Sequence, residues 1–492
     1  RIYLEAMVDY NRTFGRHDVN AMLLYNQDEL VNNVPGNNLI NSLPKRKQGL
    51  AGRLSYAYDG KYMAEVNMGY NGSENFAKGH RWGFFPSIAL GYNISEESFF
   101  EPLRKVITSM KLRGSWGLVG NDQIGGERFI YMPTINLSGK GFTTGIDQNY
   151  GLSGPVYTRY ENNSITWEVG EKINLGIDLQ LLNSLNIVVD IFRETRRDIF
   201  QKKGTIPTYL GTGNTDVFGN LAEMKNQGLD LSIDYNKAFS KDFYMNFKGT
   251  FTYAHNEITK YDEAPKYAFQ SKVGQSANVS QGYLSNGLFL DEAEIDRYNQ
   301  QMGSTLGAGD IKYLNVSNMH GYGDDIVDVD DWTWIGNPTV PEIVYGFGPS
   351  FKYKNWDFSF FFQGVAKTSL FMSGFHPFGD NSLRNVLQFV ANDRWSPTNQ
   401  NVDAKYPRLT RKTSLNNTNP GNSGRMRDGS FLKLKNMELG YTFKRMRFYI
   451  SGSNLLTFSK FDLWDPEQGG GSGLKYPTQR VFNVGFQMTF NN

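Results

Sequence analysis

Between Arg480 and Phe490 the chain alternates with a strict period of two. Phe482, Val484, Phe486, Met488 and Phe490 fall on one parity, and Asn483, Gly485, Gln487 and Thr489 on the other. An extended strand with that pattern has one wholly apolar face and one polar or small face. A water-soluble sheet would turn the apolar face to a core. A transmembrane barrel would turn it outward to lipid and keep the polar face on a wet lumen.

The same alternation recurs along the chain. Ile2, Leu4, Ala6, Val8 and Tyr10 share a face in the first strand. Tyr62, Ala64, Val66, Met68 and Tyr70 alternate with Met63, Glu65, Asn67 and Gly69. Ile173, Leu175, Ile177 and Leu179 alternate with Asn174, Gly176, Asp178 and Gln180, and Leu229, Leu231 and Ile233 with Asp230 and Ser232. Asp59-Gly60 is a tight-hairpin signal, and Asn183-Ser184 and Lys354-Asn355 mark further short turns. About fifteen strands of roughly ten residues are predicted, the length that crosses a bilayer at a tilt. Short turns alternate with long connections at 27–47, 119–166, 196–218, 256–341, 367–430 and 455–479. Outer-membrane barrels segregate their loops in this way, whereas propellers and sandwiches use shorter strands. Tyr10, Tyr25, Tyr70, Tyr253, Trp356 and Tyr441 crowd strand ends, as interface girdles do.

Composition agrees. No run of 18 apolar residues exists among the 492, which excludes membrane-spanning helices. A negative mean hydropathy leaves a barrel open, because only every second strand residue need be apolar. The net charge of +2 argues against a nucleic-acid binder working by bulk charge. With no cysteine, disulfides and thiolate metal sites are ruled out. Arg1 to Glu5 already reads as strand, without a signal-peptide pattern. With short turns on the periplasmic side, parity requires an odd number of strands upstream of Arg1. The expected fold is therefore all-β: part of one antiparallel transmembrane β-barrel domain spanning 1–492, its edge strands pairing with strands outside this sequence.

Several short motifs follow one another in a telling order: Leu112-Arg113-Gly114-Ser115-Trp116-Gly117, Thr166-Trp167-Glu168, Gly309-Asp310-Ile311-Lys312-Tyr313, Ile335-Gly336-Asn337-Pro338 and Tyr406-Pro407-Arg408-Leu409. Asp428 to Asn436 with Leu439-Gly440-Tyr441-Thr442-Phe443, then Gly452-Ser453-Asn454-Leu455 and Asp465-Pro466-Glu467, complete the series. No single motif is specific, but their order resembles the barrel of SusC/RagA-type TonB-dependent transporters. The resemblance implies a barrel of about 22 strands, with an N-terminal plug and TonB box outside this chain. It further implies a SusD/RagB-like lipoprotein lid, coupling to the TonB complex, and import of glycans or peptides across the outer membrane of a Gram-negative bacterium. A passive or structural barrel and an outer-membrane hydrolase are the alternatives.

Carboxylates and ammonium groups cannot face lipid cheaply, so Asp178, Asp190, Asp230, Lys248 and Asp357 are expected on the lumen. Loop aromatics that could stack on cargo are Trp332, Trp334, Tyr283, Tyr322 and Trp395, with simple loop packing as the competing reading. Asp324, Asp325, Asp328 and Asp330 are candidate Ca²⁺ ligands, although the stretch lacks the glycine-containing calcium-loop pattern, which favours a solvated acidic loop. No other cofactor is expected. The five histidines are scattered and form no catalytic or metal pattern, and no enzymatic activity is expected.

Overall fold

Asp59 and Gly60 both take left-handed backbone, with φ of 54° and 66°, the conformation a tight hairpin needs to match strand twist. The strands on either side stay in register from Tyr58↔Tyr62 to Lys47↔Ser73. Hairpins of this kind build the chain. The computed structural model describes all residues except 33–38, 125–127, 208, 210–214, 299–305, 323–324, 374–384, 413, 420 and 491–492.

The strands are β1 (Ile2–Phe14), β2 (His17–Leu30), β3 (Lys45–Tyr58), β4 (Tyr62–Ser73), β5 (Trp82–Asn93), β6 (Ile107–Asn121), β7 (Thr134–Thr144) and β8 (Tyr150–Arg159). There follow β9 (Glu168–Leu181), β10 (Leu185–Lys202), β11 (Phe218–Ala238), β12 (Phe243–Lys260), β13 (Ser280–Gly282), β14 (Ser285–Leu288), β15 (Ile311–Tyr313) and β16 (Thr333–Ile335). The last are β17 (Ile343–Tyr353), β18 (Trp356–Ala366), β19 (Ser369–Phe371), β20 (Met426–Asp428), β21 (Phe431–Phe443), β22 (Met446–Ser459) and β23 (Val481–Met488). Fifteen of them form one sheet in chain order; β7–β8, β13–β16, β14–β15 and β19–β20 pair separately within the long connections. The protein is thus an all-β barrel chain, as the alternation predicted.

The strand boundaries differ from expectation in two ways. Strands β2, β10, β12 and β22 run four to seven residues into the connections expected from the sequence. Backbone pairing continues in water once the lipid requirement ends. The final strand stops at Met488 rather than Phe490.

By internal contacts the chain divides into two units, Arg1–Ile233 with Ala254–Ala264, and Asp234–Tyr253 with Pro265–Asn492. In the first, register sets Val66, Ile88, Trp116 and Ile173 in one row across β4, β5, β6 and β9. The next row holds Ala64, Leu90, Gly114, Leu175 and, on β10, Ile191. Leu90 and Leu175 are 58% and 62% exposed although their strands are paired on both sides. This face therefore meets no protein core, and it is apolar across these rows except at Arg193 of β10, which stands beside Ile173. In the second unit an aromatic row runs Phe243, Tyr353, Trp356, Tyr441, Phe448 and Phe486. Phe482 and Val484 are exposed as well.

The buried apolar clusters lie in the connections. Phe76, Ile124, Ile130, Ile165 and Trp167 form the cluster of the first unit. The second unit has two, one around Tyr283, Tyr313 and Trp395 and one around Leu370, Met372, Tyr406 and Phe461. The long connections are thus folded, with cores of their own.

Candidate functional site: the polar face and the loop layer

The opposite face of the sheet carries the charges. On β6 the Arg113 guanidinium meets Asp190 of β10 with both Nη atoms at 2.6 Å, and its Nε reaches Asp178 of β9 at 3.1 Å. Between them stands Gly176, where a Cβ would lie 2.5 Å from the arginine Cζ. The glycine lets the side chain lie flat across a neighbouring strand. The second unit repeats the device. Arg447 of β22 donates to Asp357 of β18 (Nε at 3.1 Å) and to Glu438 at 2.5 Å, over Gly440 of β21. Lys248 lies 4.0 Å from Asp234. Asp178, Asp190, Lys248 and Asp357 therefore sit on the polar, ion-paired face, and Asp230 also has a partner.

In the loop layer of the second unit, two motifs that are 98 residues apart meet. Asp310 is fully buried and accepts from Arg408 Nε at 2.6 Å and Nη2 at 3.0 Å. Asn417 Nδ2 and the Gly307 amide also donate to it, at 2.8 and 3.0 Å. Gly309 has a φ of 86° and the Trp395 ring packs where its Cβ would be, at 2.4 Å. Here a side chain would meet both strain and a clash. Lys433, on β21, is likewise buried. It donates to Asp465, and to Glu467 at 2.8 Å, which fastens the last connection to the sheet.

The expected cargo-contacting aromatics separate into two sets. Tyr283 and Trp395 are buried in the loop core, and Trp332 packs against them, edge-on to Tyr283 at 5.0 Å. Burial, with Asp328 and Asp331 nearby, pushes the Tyr283 hydroxyl up to about 12. Trp334 is half-buried and donates to the Ser271 carbonyl at 2.8 Å. Tyr322 alone of the five is exposed; it lies 4.3 Å from Tyr267, in a ring group that continues through Phe269 to His320.

The acidic stretch is engaged internally. Asp331 accepts from the Ser317 amide at 2.9 Å and from the Asp328 amide at 2.9 Å, and Asp328 accepts from the Asp330 amide at 2.8 Å. Asp330 takes Lys266, whose ammonium this hydrogen bond holds above the ordinary lysine value. Asp325 meets Asn318 at 3.5 Å, and Asp324 lies outside the described residues. Among the described residues, no three carboxylate or histidine side chains converge as a metal site requires.

Sequence reasoning overlooked the arginines. Arg113 and Arg408 stood inside quoted motifs, yet nothing local shows that each reaches a carboxylate far along the chain.

A sheet with one exposed apolar face, one ion-paired polar face and folded connections fits one group of proteins, and comparison decides which. The family model described as TonB dependent receptor-like, beta-barrel, matches residues 2–455. The chain belongs to that family. TonB-dependent receptor P3 of Formosa agariphila is 26% identical over 99% of this chain and 52% of its own length. TonB-dependent receptor SusC of Bacteroides thetaiotaomicron is 27% identical over 89% of this chain and 43% of its own. The RagAB peptide transporter structure superposes with a TM-score of 0.72 at 20% identity, covering 99% of this chain and 55% of that one. Within that family, the chain is similar to SusC and to the transporter barrel of RagAB. The chain spans about half the length of the curated relatives it matches. Those relatives are receptors and transporters rather than enzymes.

Proposed function

We propose that this TonB-dependent receptor barrel is part of an outer-membrane importer in a Gram-negative bacterium. It takes up oligosaccharides or oligopeptides too large for passive pores, and works with a SusD/RagB-like surface lipoprotein. The observation that carries the reading is the pairing of an ion-paired polar face with a separately folded loop layer. A barrel of this strand number is too wide to be filled by its own side chains, so its lumen needs an occluding plug, which the TonB complex would move. The charged groups at Arg113, Asp178, Asp190, Asp230, Lys248, Asp357 and Arg447 would grip that plug or line the route beside it. The folded connections offer a firm rim for the lipoprotein lid, and exposed Tyr322 with its neighbours offers ring faces to cargo. Uptake of labelled oligosaccharide and oligopeptide by cells, with and without a proton-gradient uncoupler, tests this. Uptake abolished by uncoupling is expected; unchanged uptake would mean a passive barrel.

A further inference from the structure

The short turns at one end of the second unit carry an excess of cations. Lys237 stands near the end of β11, on the parity of Tyr235, and Lys241 lies between β11 and β12. Lys354 lies between β17 and β18, and Lys444 and Arg445 between β21 and β22. All of these side chains are exposed. Against them the turns set a single carboxylate, Asp242. Among the described residues, none of these cations has a carboxylate within ion-pairing distance. Other cations are paired. In the long connections of the same unit Lys312 meets Glu294 at 2.8 Å and Lys367 meets Glu342 at 3.4 Å. At the short turns of the first unit Arg16 and Lys61 reach Asp59 at 3.8 and 3.9 Å.

The unpaired cations stand beside the aromatic row of the apolar face. The Lys354 ammonium lies 5.6 Å from the centre of the Tyr353 ring, and that of Lys444 5.5 Å from the Phe443 ring. Lys237 lies 5.4 Å from the Phe239 ring, which stacks at 5.3 Å on Phe243, the first ring of the row. Rings at the edge of an apolar face, with lysine stems along them and ammonium groups beyond, match the boundary between hydrocarbon and headgroups. We infer that these turns form a docking belt for anionic phospholipid headgroups in the leaflet they meet. Headgroup phosphates supply the negative charge that the turns themselves lack. An acidic protein surface would match the charge alone, whereas a lipid also matches the rings and the exposed apolar face. The inference rests on the outer-membrane placement proposed above and concerns the lipid around the sheet, not the cargo.

The test places the full-length receptor in phosphatidylcholine bilayers and compares, by electron spin resonance, its association with spin-labelled phosphatidylglycerol and spin-labelled phosphatidylcholine. At low salt phosphatidylglycerol should associate at least about twofold more strongly, a preference of about fivefold per cation spread over the whole lipid shell. The preference should fade in about 1 M salt, which screens exposed charges. A variant carrying Lys241→Gln, Lys354→Gln, Lys444→Gln and Arg445→Gln should lose most of it. A control carrying Arg411→Gln, Lys412→Gln, Lys460→Gln and Lys475→Gln, at exposed cations of the long connections, should keep it. No preference in the unaltered protein would overturn the inference without any variant needing to fold. A preference that survives the first variant, or equal loss in both, would also overturn it. So would poly-glutamate binding, abolished by the first variant, in a protein without lipid preference, which would give the belt to an acidic protein. The import reading fails separately: lipid selectivity combined with uncoupler-insensitive uptake would sink that reading and leave this one standing.

Discussion

Arg113 on β6 passes over Gly176 to hold Asp190 on β10, two strands away, with both contacts at 2.6 Å. Arg447 does the same over Gly440 to Asp357. Each pair ties three strands on the polar face, where side chains rather than a packed core must hold the sheet. Gly176→Ala should displace the Arg113 guanidinium and lower the temperature of the heat-induced gel-mobility shift by a few degrees. In an Arg113→Ala background the same substitution should cost little. Equal losses in both backgrounds would show that the glycine acts on the backbone instead.

The apolar row predicts a sidedness of tolerance. Ile450→Arg on β22 should cost about 2–4 kcal/mol of folding into lipid vesicles, the scale for an arginine facing mid-bilayer lipid. Gln487→Arg, on the polar parity of β23, should change folding far less. Similar losses at both sites would contradict the assignment of faces.

Asp310 and Arg408 predict a local rather than global defect. Asp310→Asn should weaken the loop layer by about 1.5–3 kcal/mol, since it removes the charge from a buried carboxylate that accepts from the half-buried Arg408 guanidinium. The measurement is limited proteolysis: cleavage within 256–430 should accelerate while the sheet keeps its heat-shifted mobility. Loss of the folded sheet would refute the independence of the loop core.

The Lys433 clamp predicts a pH response. Burial opposes ionisation of Asp465 and Glu467, but hydrogen bonds from Lys433 outweigh it and hold both carboxyls below their ordinary values. A depressed carboxyl adds stability that is fully present above its unfolded value, near 4, and is lost as pH falls through the folded value. The last connection should therefore resist an acid-active protease at pH 5 and open near pH 3. Lys433→Met should flatten that difference.

The aromatic candidates separate in the same way. Tyr283→Ala should destabilise the loop layer by about 3–5 kcal/mol, as large-to-small core changes do. Tyr322→Ala should leave folding intact and weaken cargo binding several-fold, measured by titration of the full-length protein. A stable Tyr283→Ala with impaired binding would reverse these roles.

The sheet was legible because lipid on one side and water on the other impose a two-residue period that any reader of the chain can follow. The hairpin at Asp59-Gly60 was legible for a local reason, its backbone requirement. The loop layer was not. Its decisive contacts join residues such as Asp310 and Arg408, whose separation leaves no periodic trace. Trp395 and Tyr322 also look alike in sequence, because packing a loop and stacking on cargo call for the same rings; only burial separates them.

The Asp310–Arg408 pair closes a long loop in a chain that has no cysteine. It stands where a secreted protein of this exposure would often carry a disulfide, but it holds the folded loop alone, because an ion pair does not persist to restrict the unfolded chain. Unlike a covalent bridge, it parts and re-forms without a redox partner. A loop layer stapled in this manner can yield when strained and snap back unaided.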